Sequence, residues 1–379
     1  MRLFYWSPFL SNIATIDAVT NSINSLRKYD KNNKYKTFII DSSGEWQEKL
    51  DRISGIDTIK LYKKNYYKFL PKGNFIKSRL SQMIIFILNF NLLRKLLIKE
   101  KPNFLIAHLI ISLPLILFFF FKFETKLIIR ISGTPKLNKF RRFFWTLFSK
   151  NVHLVTCPTQ STLEKLNALK IFPKKKLKLL YDPILKINYI NIKKKEKIDY
   201  KFIKTDYILS IGRLTKQKNF SFLIKNFALM KKKYKDYKLI IIGDGELKDK
   251  LISQIKKFNL YEDVILIGHQ RNIYKFLKYA KAFVLSSLWE EVGFVMVEAA
   301  SCNVNIIASD CKNGPEEFLV NGKGGFLFKN DNSESLNKAF DKFINSSEKE
   351  LFQKRLVAKK QVKKFTFFPH FQNFIKVLK

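Results

Sequence analysis

Three polar clusters in the second half of the sequence each follow a short apolar run of the kind that predicts a β-strand. The first cluster follows the run YILSI and contains Gly212, Arg213 and Lys218. A glycine at a strand end lets the backbone approach a ligand closely, and two cations can hold a diphosphate and stabilise it as it leaves. A turn whose cations are merely solvated explains the same residues, so both interpretations stay open for this cluster alone.

The second cluster is the tetrapeptide GDGE that starts at Gly243, directly after the apolar run LIII. It lacks the third glycine of the G-x-G-x-x-G dinucleotide-binding pattern. We therefore predict a tight strand-to-helix turn, with a nucleotide base or ribose nearby as the functional alternative.

The third cluster lies in SSLWEEVGFVMVEAA, where a loop carries Glu290 and a predicted helix begins near Gly293. The backbone N–H groups of Gly293, Phe294 and Val295 would be free at this helix N-terminus for a phosphate or sugar oxygen. Glu298 follows in an apolar part of the helix, where a buried carboxylate needs a partner. Ligand hydroxyls or the cations of the first cluster would serve, and a purely structural glutamate is the alternative.

Polar residues also end two predicted strands of the first half. His108 follows FLIA at a predicted strand end, where its side chain is a candidate for contacting a ligand. A lone histidine beside apolar residues is, however, more often a core residue. A second polar strand end follows the run KLII and contains Arg130, Ser132 and Gly133. In a group-transfer enzyme these residues are candidates for binding the substrate that accepts the group.

The predicted elements that position these residues alternate between strands and helices, which favours parallel α/β sheets. A first α/β domain is predicted over residues 1–185, a polar Lys-rich linker over 186–204, and a second over 205–345. The helical segment 346–379 is expected to pack back on the first domain. Residues 104–121 are nearly long enough to span a bilayer, but the polar residues and the proline that interrupt them favour a strand followed by a helix and a second strand.

The chain is strongly basic, with 71 Lys and Arg against 31 Asp and Glu and a net charge of +40. Between residues 60 and 150 there are 19 basic residues and two acidic ones, interleaved with aromatics. This pattern favours an anionic membrane surface as a partner, and a solvated basic face over an aromatic core is the alternative. Nucleic acid is not expected, because lysine greatly outnumbers arginine in the excess.

The three cysteines, Cys157, Cys302 and Cys311, have no disulfide or metal-ligand spacing, and this usage fits a reducing compartment. Polar residues interrupt the apolar N-terminal stretch too early for a secretory signal. We expect a cytoplasmic protein that is peripheral on the inner face of the cytoplasmic membrane.

The second half of the sequence resembles retaining glycosyltransferase family 4. The resemblance rests on three features in this order: SIGRLTKQKN, IIIGDGE, and the pair Glu290–Glu298 running into EAA. The loop SDCKNGPEEFLVNGKGGFLF adds to this resemblance, which covers residues 205–330. It implies a GT-B fold, in which two Rossmann-like doubly wound domains face an interdomain cleft. The glycine-free first loop, SPFLSNIATIDA, departs from the family pattern.

The resemblance also implies roles for individual residues. Arg213 and Lys218 would hold the donor diphosphate, Glu298 the ribose hydroxyls, and Glu290 the donor sugar. The backbone at Gly293–Val295 and the glycines Gly212 and Gly243 would line the donor site. His108 would lie near the reacting sugar. Neither a cofactor nor a metal is expected, and the donor would be a UDP- or GDP-sugar.

The function expected from these observations is transfer of a sugar, with retention, from a nucleotide-diphosphate donor. The acceptor would be lipid-linked or a cell-surface polysaccharide or lipopolysaccharide. Two alternatives remain open at this point. One is a nucleotide-sugar 2-epimerase on the same fold, and the other is a non-enzymatic basic protein that binds membranes or nucleic acid.

Overall fold

The computed structural model describes the chain except residues 11–13, 51–54, 72, 74, 134, 136–137, 199, 201–204 and 312. The chain divides into two compact units. The first unit comprises Met1–Pro183 and Phe367–Lys379, and the second comprises Ile184–Thr366.

The first unit is built on a seven-stranded sheet in which every pair of neighbouring strands is parallel. In chain order its strands are β1 (Arg2–Trp6), β2 (Lys36–Asp41), β3 (Asp57–Lys60), β4 (Phe104–Ala107), β5 (Lys126–Arg130), β6 (Leu154–Cys157) and β7 (Leu177–Leu179). Their order across the sheet is β3-β2-β1-β4-β5-β6-β7.

Helices cover both faces of this first sheet. In chain order they are α1 (Ala14–Tyr29), α2 (Gln47–Leu50), α3 (Phe75–Glu100), α4 (Ser112–Phe120), α5 (Lys139–Phe148) and α6 (Gln160–Ala168). The helices α3 to α6 share one apolar cluster with one face of the sheet, and α1 packs on the opposite face. Burial of both faces explains why the central strands β1 and β4 are nearly continuous apolar runs.

The second unit holds a six-stranded parallel sheet with the order β10-β9-β8-β11-β12-β13. Its strands are β8 (Tyr207–Ile211), β9 (Lys238–Ile242), β10 (Val264–Leu266), β11 (Ala282–Leu285), β12 (Asn305–Ser309) and β13 (Phe326–Phe328). Its helices are α7 (Ile187–Lys193), α8 (Phe220–Lys233), α9 (Lys248–Lys257), α10 (Tyr274–Leu277), α11 (Phe294–Ser301), α12 (Gly314–Phe318), α13 (Ser333–Asn345) and α14 (Glu348–Val362). The helices α8, α9 and α13 share a core with one face of this sheet.

Helix α15 (Phe367–Val377) is the last element and belongs to the first unit, where it packs against α1. Four short 3-10 turns complete the described elements: Tyr67–Phe69, Lys174–Lys176, Lys216–Lys218 and Lys363–Phe365. The C-terminal segment predicted over 346–379 is therefore divided, because α14 lies in the second unit and α15 in the first.

The strand–helix–strand prediction for residues 104–121 and its continuation is confirmed by β4, α4 and β5. The segment 186–204, predicted as a polar Lys-rich linker, begins with helix α7 and belongs to the second unit. The reason is local packing, since Ile190 is 2% exposed within the second unit. Residues 199 and 201–204 of that linker lie outside the described part of the chain.

Candidate functional site

In the second unit, the polar clusters that follow β8 and β11 meet at the carboxyl edge of the sheet. These two strands are neighbours, although β9 lies on the other side of β8, so the strand order reverses between them. Open α/β sheets bind ligands at such a reversal, outside the carboxyl ends of the strands. The topology therefore brings the first and third predicted clusters together.

A partly buried ion pair joins these two clusters. Lys218 Nζ lies 2.5 Å from Glu290 Oε1, and the two side chains are 15% and 9% exposed. The Ser287 hydroxyl donates to the same carboxylate oxygen at 2.7 Å, and the Ser286 hydroxyl donates to the Lys218 carbonyl at 2.8 Å. The lysine is thus held at both its backbone and its ammonium group. Arg213 is exposed and has no side-chain hydrogen bond or ion pair among the described contacts.

Glycines allow the turns of this edge to pack closely. A Cβ on Gly212 would lie 2.7 Å from Lys218 Cε, so the lysine stem passes directly over this glycine. A Cβ on Gly243 would lie 1.8 Å from the Gly212 carbonyl oxygen, and one on Gly245 would lie 2.6 Å from the Leu214 carbonyl oxygen. The tight GDG turn predicted from the sequence is confirmed, and the structure gives its glycines the role of supporting the Gly212 turn.

Helix α11 begins next to this ion pair. Its N-cap residue, Gly293, has φ 74°, a left-handed conformation that favours glycine. No side chain of the described residues caps this terminus, and the N–H groups of Phe294 and Val295 have no backbone acceptor among the described residues, whereas Met296 N–H donates to the Gly293 carbonyl at 2.8 Å. Gly314 lets the loop after β12 approach, because its Cβ would lie 2.5 Å from the Glu291 carbonyl oxygen.

The half-buried Glu298 has a partner that the sequence reasoning missed. The Tyr274 hydroxyl on α10 donates to Glu298 Oε1 at 2.7 Å, and Tyr274 is only 8% exposed. Burial, together with the adjacent carboxylate, raises the pKa of Tyr274 well above its usual value. The phenol therefore remains protonated and continues to donate its hydrogen bond to Glu298 Oε1. No spacing in the sequence indicates this pair, because the two residues lie on different helices.

In the first unit, the predicted acceptor-side residue Arg130 forms a deeply buried ion pair with Asp182. Arg130 Nε lies 2.9 Å from Asp182 Oδ1, and the second guanidinium nitrogen bonds Oδ2, so the pair is bidentate. The two side chains are 7% and 4% exposed. The remaining nitrogen donates to the Ser132 hydroxyl at 2.5 Å, whereas Gly133 is half-buried. These contacts tie the end of β5 to the segment after β7.

His108 and His370 line a small cavity beside this ion pair. His108 is 8% exposed, and its Nδ1 atom is buried without a hydrogen-bond partner among the residues that the structure describes. Burial and the nearby Arg130 cation lower the pKa of His108 well below its usual value, so the imidazole is neutral at pH 7. His370 on α15 bonds the Tyr181 carbonyl at 2.7 Å and the Ser22 hydroxyl at 2.9 Å. The structure therefore gives His108 a polar but largely enclosed position.

A further buried acid, Glu45, lies in the loop after β2. Its two carboxylate oxygens accept hydrogen bonds from the backbone N–H groups and hydroxyls of Ser42 and Ser43. Burial raises the pKa of Glu45 to about 8, the neighbouring Asp41 carboxylate adds to the increase, and the bond from Ser43 opposes it.

This shift predicts a pH-dependent stability of the protein. The stabilisation that protonated Glu45 gives to the folded state is fully present below about pH 4.5, the ordinary pKa of a glutamate side chain. It is lost as the pH rises towards 8, because the unfolded chain releases the proton first. We expect the unfolding free energy to fall by at most about 1.4 kcal/mol per pH unit across this range. Melting curves of wild type and Glu45→Gln between pH 5 and 8.5 measure it, and parallel pH profiles would contradict the expectation.

Comparisons with known proteins agree with this architecture. Residues 191–364 match the family model described as glycosyl transferases group 1. An uncharacterised glycosyltransferase of Methanocaldococcus jannaschii is 51% identical over 111 residues, which is 29% of this chain and 27% of that protein. A protein of Campylobacter jejuni is 33% identical over 221 residues, 56% of this chain and 59% of its own length. Its name is N-acetylgalactosamine-N,N'-diacetylbacillosaminyl-diphospho-undecaprenol 4-alpha-N-acetylgalactosaminyltransferase. The chain thus spans about a quarter and about three fifths of these two relatives.

A solved structure extends the likeness to the whole chain. The HepE protein of Anabaena, in complex with UDP and glucose, aligns with a TM-score of 0.76 at 14% identity, covering 100% of this chain and 99% of that one. The GT-B fold class expected from the sequence is confirmed by this likeness together with the two parallel sheets.

Proposed function

We propose that this protein is a glycosyltransferase that moves a sugar from a nucleotide-diphosphate donor to a lipid-linked or cell-surface polysaccharide or lipopolysaccharide acceptor. The observation that carries the proposal is the arrangement at the carboxyl edge of the second sheet. There, the partly buried Lys218–Glu290 pair follows two neighbouring strands close to the N-terminus of α11, which no described side chain caps, and Tyr274 holds the Glu298 carboxylate on the same helix. The match of residues 191–364 to a glycosyltransferase family model supports it.

Each group at this edge has a task that suits its chemistry. The Lys218 ammonium and the Arg213 guanidinium bind the donor diphosphate and stabilise the negative charge that develops on it as the glycosidic bond breaks. The N–H groups of Phe294 and Val295 donate to a phosphate or sugar oxygen. Glu290, once the diphosphate competes for Lys218, accepts hydrogen bonds from the hydroxyls of the donor sugar.

Glu298 recognises the nucleotide part of the donor. A carboxylate that accepts one hydrogen bond from Tyr274 retains lone pairs for the two vicinal ribose hydroxyls. The donor base is proposed to be uracil or guanine, and the UDP bound in the HepE structure makes UDP-sugars the first to test. The protein cations replace a metal ion in this proposal, so EDTA leaves transfer unchanged.

Retention of the anomeric configuration is part of the proposal and rests on the resemblance to family 4. The donor's own phosphate oxygen then accepts the proton of the attacking hydroxyl on the same face of the sugar. Proton NMR of the first-formed product assigns its anomeric configuration, and an inverted product would overturn this part.

The acceptor class is supported by the Campylobacter jejuni relative, whose name specifies a diphospho-undecaprenol-linked acceptor. An acceptor of this kind is anchored in a lipid bilayer, so the proposed place of work is the inner face of the cytoplasmic membrane. The first unit, with His108, Arg130, Ser132 and Gly133 at its strand ends, is proposed to receive the acceptor.

A thermal-shift panel tests the donor site directly. Wild type, Glu298→Gln and Tyr274→Phe are melted with UDP-, GDP-, ADP- and dTDP-linked sugars in EDTA. We expect one nucleotide family to stabilise wild type, Glu298→Gln to lose the shift, and Tyr274→Phe to need about tenfold more nucleotide. The matched control is Glu262→Gln, an exposed glutamate in the turn before β10, which keeps the full shift.

Two outcomes of that panel would count against the proposal. If no nucleotide shifts the melting temperature of folded wild type, the transferase function is contradicted and a basic binding protein becomes the better explanation. If a nucleotide-sugar binds and is converted to its C2 epimer without any acceptor, the protein is instead a 2-epimerase.

A further inference from the structure

Helix α3 is the one helix among the described residues that is long and apolar enough to cross a membrane by length and composition. One stripe of this helix faces the core of the first unit, and its members are at most 1% exposed: Ser81, Ile85, Asn89, Leu93 and Leu97. They follow one another at intervals of four residues, which is the spacing of one helix face. These contacts fix α3 against the sheet.

The opposite stripe of α3 is also apolar, but it is exposed. Ile76, Leu80, Met83 and Ile87 recur at helical spacing, with exposures of 75%, 42%, 53% and 63%. Residues 80–93 contain no charged side chain. A surface helix of a soluble domain normally places polar residues on this outer face. A continuous apolar stripe of this kind therefore marks an interaction surface.

Helix α5 extends this surface on the same side of the sheet. It exposes Phe140 and Phe143 at 75% and 66%, next to the exposed cations Arg141 and Arg142. Helix α4 packs between α3 and α5. We call the residues Ile76, Leu80, Met83, Ile87, Phe140 and Phe143 the apolar face.

We propose that the apolar face rests on an anionic lipid bilayer, with α3 lying in the plane of the interface. The membrane contact would bring the enzyme to a lipid-linked acceptor, and in this respect the inference rests on the proposed function. Apolar side chains inserted among headgroups, flanked by lysine and arginine, are the recognised form of such a contact.

The charge around the apolar face selects lipid over a second copy of the chain. The exposed cations Lys77 and Arg79 flank the stripe on α3, and no acidic residue occurs between residues 60 and 99. Pairing two copies through this face would bring their basic residues together without compensating acids, whereas anionic headgroups neutralise them.

The buried stripe decides that α3 lies on the membrane and does not span it. Ile85, Leu93 and Leu97 belong to the same apolar cluster as the sheet. Insertion across a bilayer would remove these side chains from that cluster and expose the apolar face of the sheet. The helix therefore contributes one stripe to the core and the other to the lipid.

Vesicle flotation of the full chain tests this proposal. The probes are vesicles of phosphatidylcholine alone and of phosphatidylcholine with 30 mol% phosphatidylglycerol, at low and high salt. We expect binding to the anionic vesicles that weakens with salt. The variant Met83→Gln/Ile87→Gln/Phe140→Gln/Phe143→Gln should bind at least tenfold more weakly. The matched control, Leu229→Gln/Ile252→Gln, changes apolar residues of similar exposure on the second unit and should bind as wild type does.

Several results would overturn the proposal. One is equal flotation of wild type and the four-residue variant, and another is no binding to anionic vesicles at low salt. A third is a shift from dimer to monomer in the variant with unchanged flotation, which would assign the face to a second copy. Resistance of the expressed protein to extraction by alkaline carbonate would overturn the in-plane placement of α3.

The nucleotide thermal shift is measured on the same variants. A variant that loses flotation and keeps its shift separates the membrane surface from the donor site. Failure of the lipid experiment then leaves the proposed transferase function intact, and failure of the nucleotide experiment leaves the lipid surface intact.

Discussion

Replacement of Lys218 by methionine is expected to lower kcat/KM for sugar transfer by about 10²- to 10³-fold, or about 2.7–4 kcal/mol of transition-state stabilisation. The lysine presents its charge at the carboxyl edge of the sheet, where the proposed diphosphate leaves. Methionine keeps the unbranched stem that passes over Gly212 and removes only the charge. Steady-state transfer assays with a donor identified by the thermal-shift panel measure the effect.

The control for this prediction lies in the same turn. Lys216→Met removes an exposed lysine two residues away and should retain transfer within about twofold of wild type. Because Lys218→Met leaves Glu290 without its cation, melting curves must show that the variant is folded. A folded Lys218→Met protein that retains a third or more of wild-type kcat/KM would remove Lys218 from the catalytic site.

Replacement of Asp182 by asparagine is expected to destabilise the first unit by about 3–5 kcal/mol, because it leaves the buried Arg130 cation without its counter-charge. Denaturant unfolding followed by tryptophan fluorescence measures this, since Trp6, Trp46 and Trp145 belong to the first unit. Unfolding at the same denaturant concentration as wild type would contradict the prediction.

A double variant separates the structural role of this ion pair from an acceptor role. Arg130→Met/Asp182→Leu replaces both charges with apolar side chains and should recover much of the lost stability. If the double variant is stable and binds donor but transfers no sugar, Arg130 contributes to the acceptor site. If transfer is normal, the pair is purely structural.

The sequence predicted the central strands of both sheets well, because their signals are local. The apolar run YILSI matches β8 residue for residue, and the run LIII forms all of β9 except its first residue. Parallel strands covered on both faces must be continuously apolar, and the intervening helices carry a 3.6-residue period. The predicted linker was the exception, since one buried isoleucine in a lysine-rich segment gives no such signal.

The sequence also indicated that the candidate donor residues follow predicted strands, and open parallel sheets bind ligands at the carboxyl ends of their strands. Lys218 and Glu290 follow β8 and β11, and the observed strand order makes these strands neighbours. The strand order itself was decided by the tertiary structure. That order brings two loops that are distant in the sequence close enough for Lys218 and Glu290 to form an ion pair.

Composition alone determined that this protein is strongly basic and that its first half is rich in apolar and aromatic residues. Only the tertiary structure decided which of those residues are buried. It divided α3 into a buried stripe and an exposed one, and it paired Arg130 with Asp182 and Tyr274 with Glu298. The physical reason is that helical and strand periodicity are written in consecutive residues. The partner of a buried charge, in contrast, is set by the packing of elements far apart in the chain.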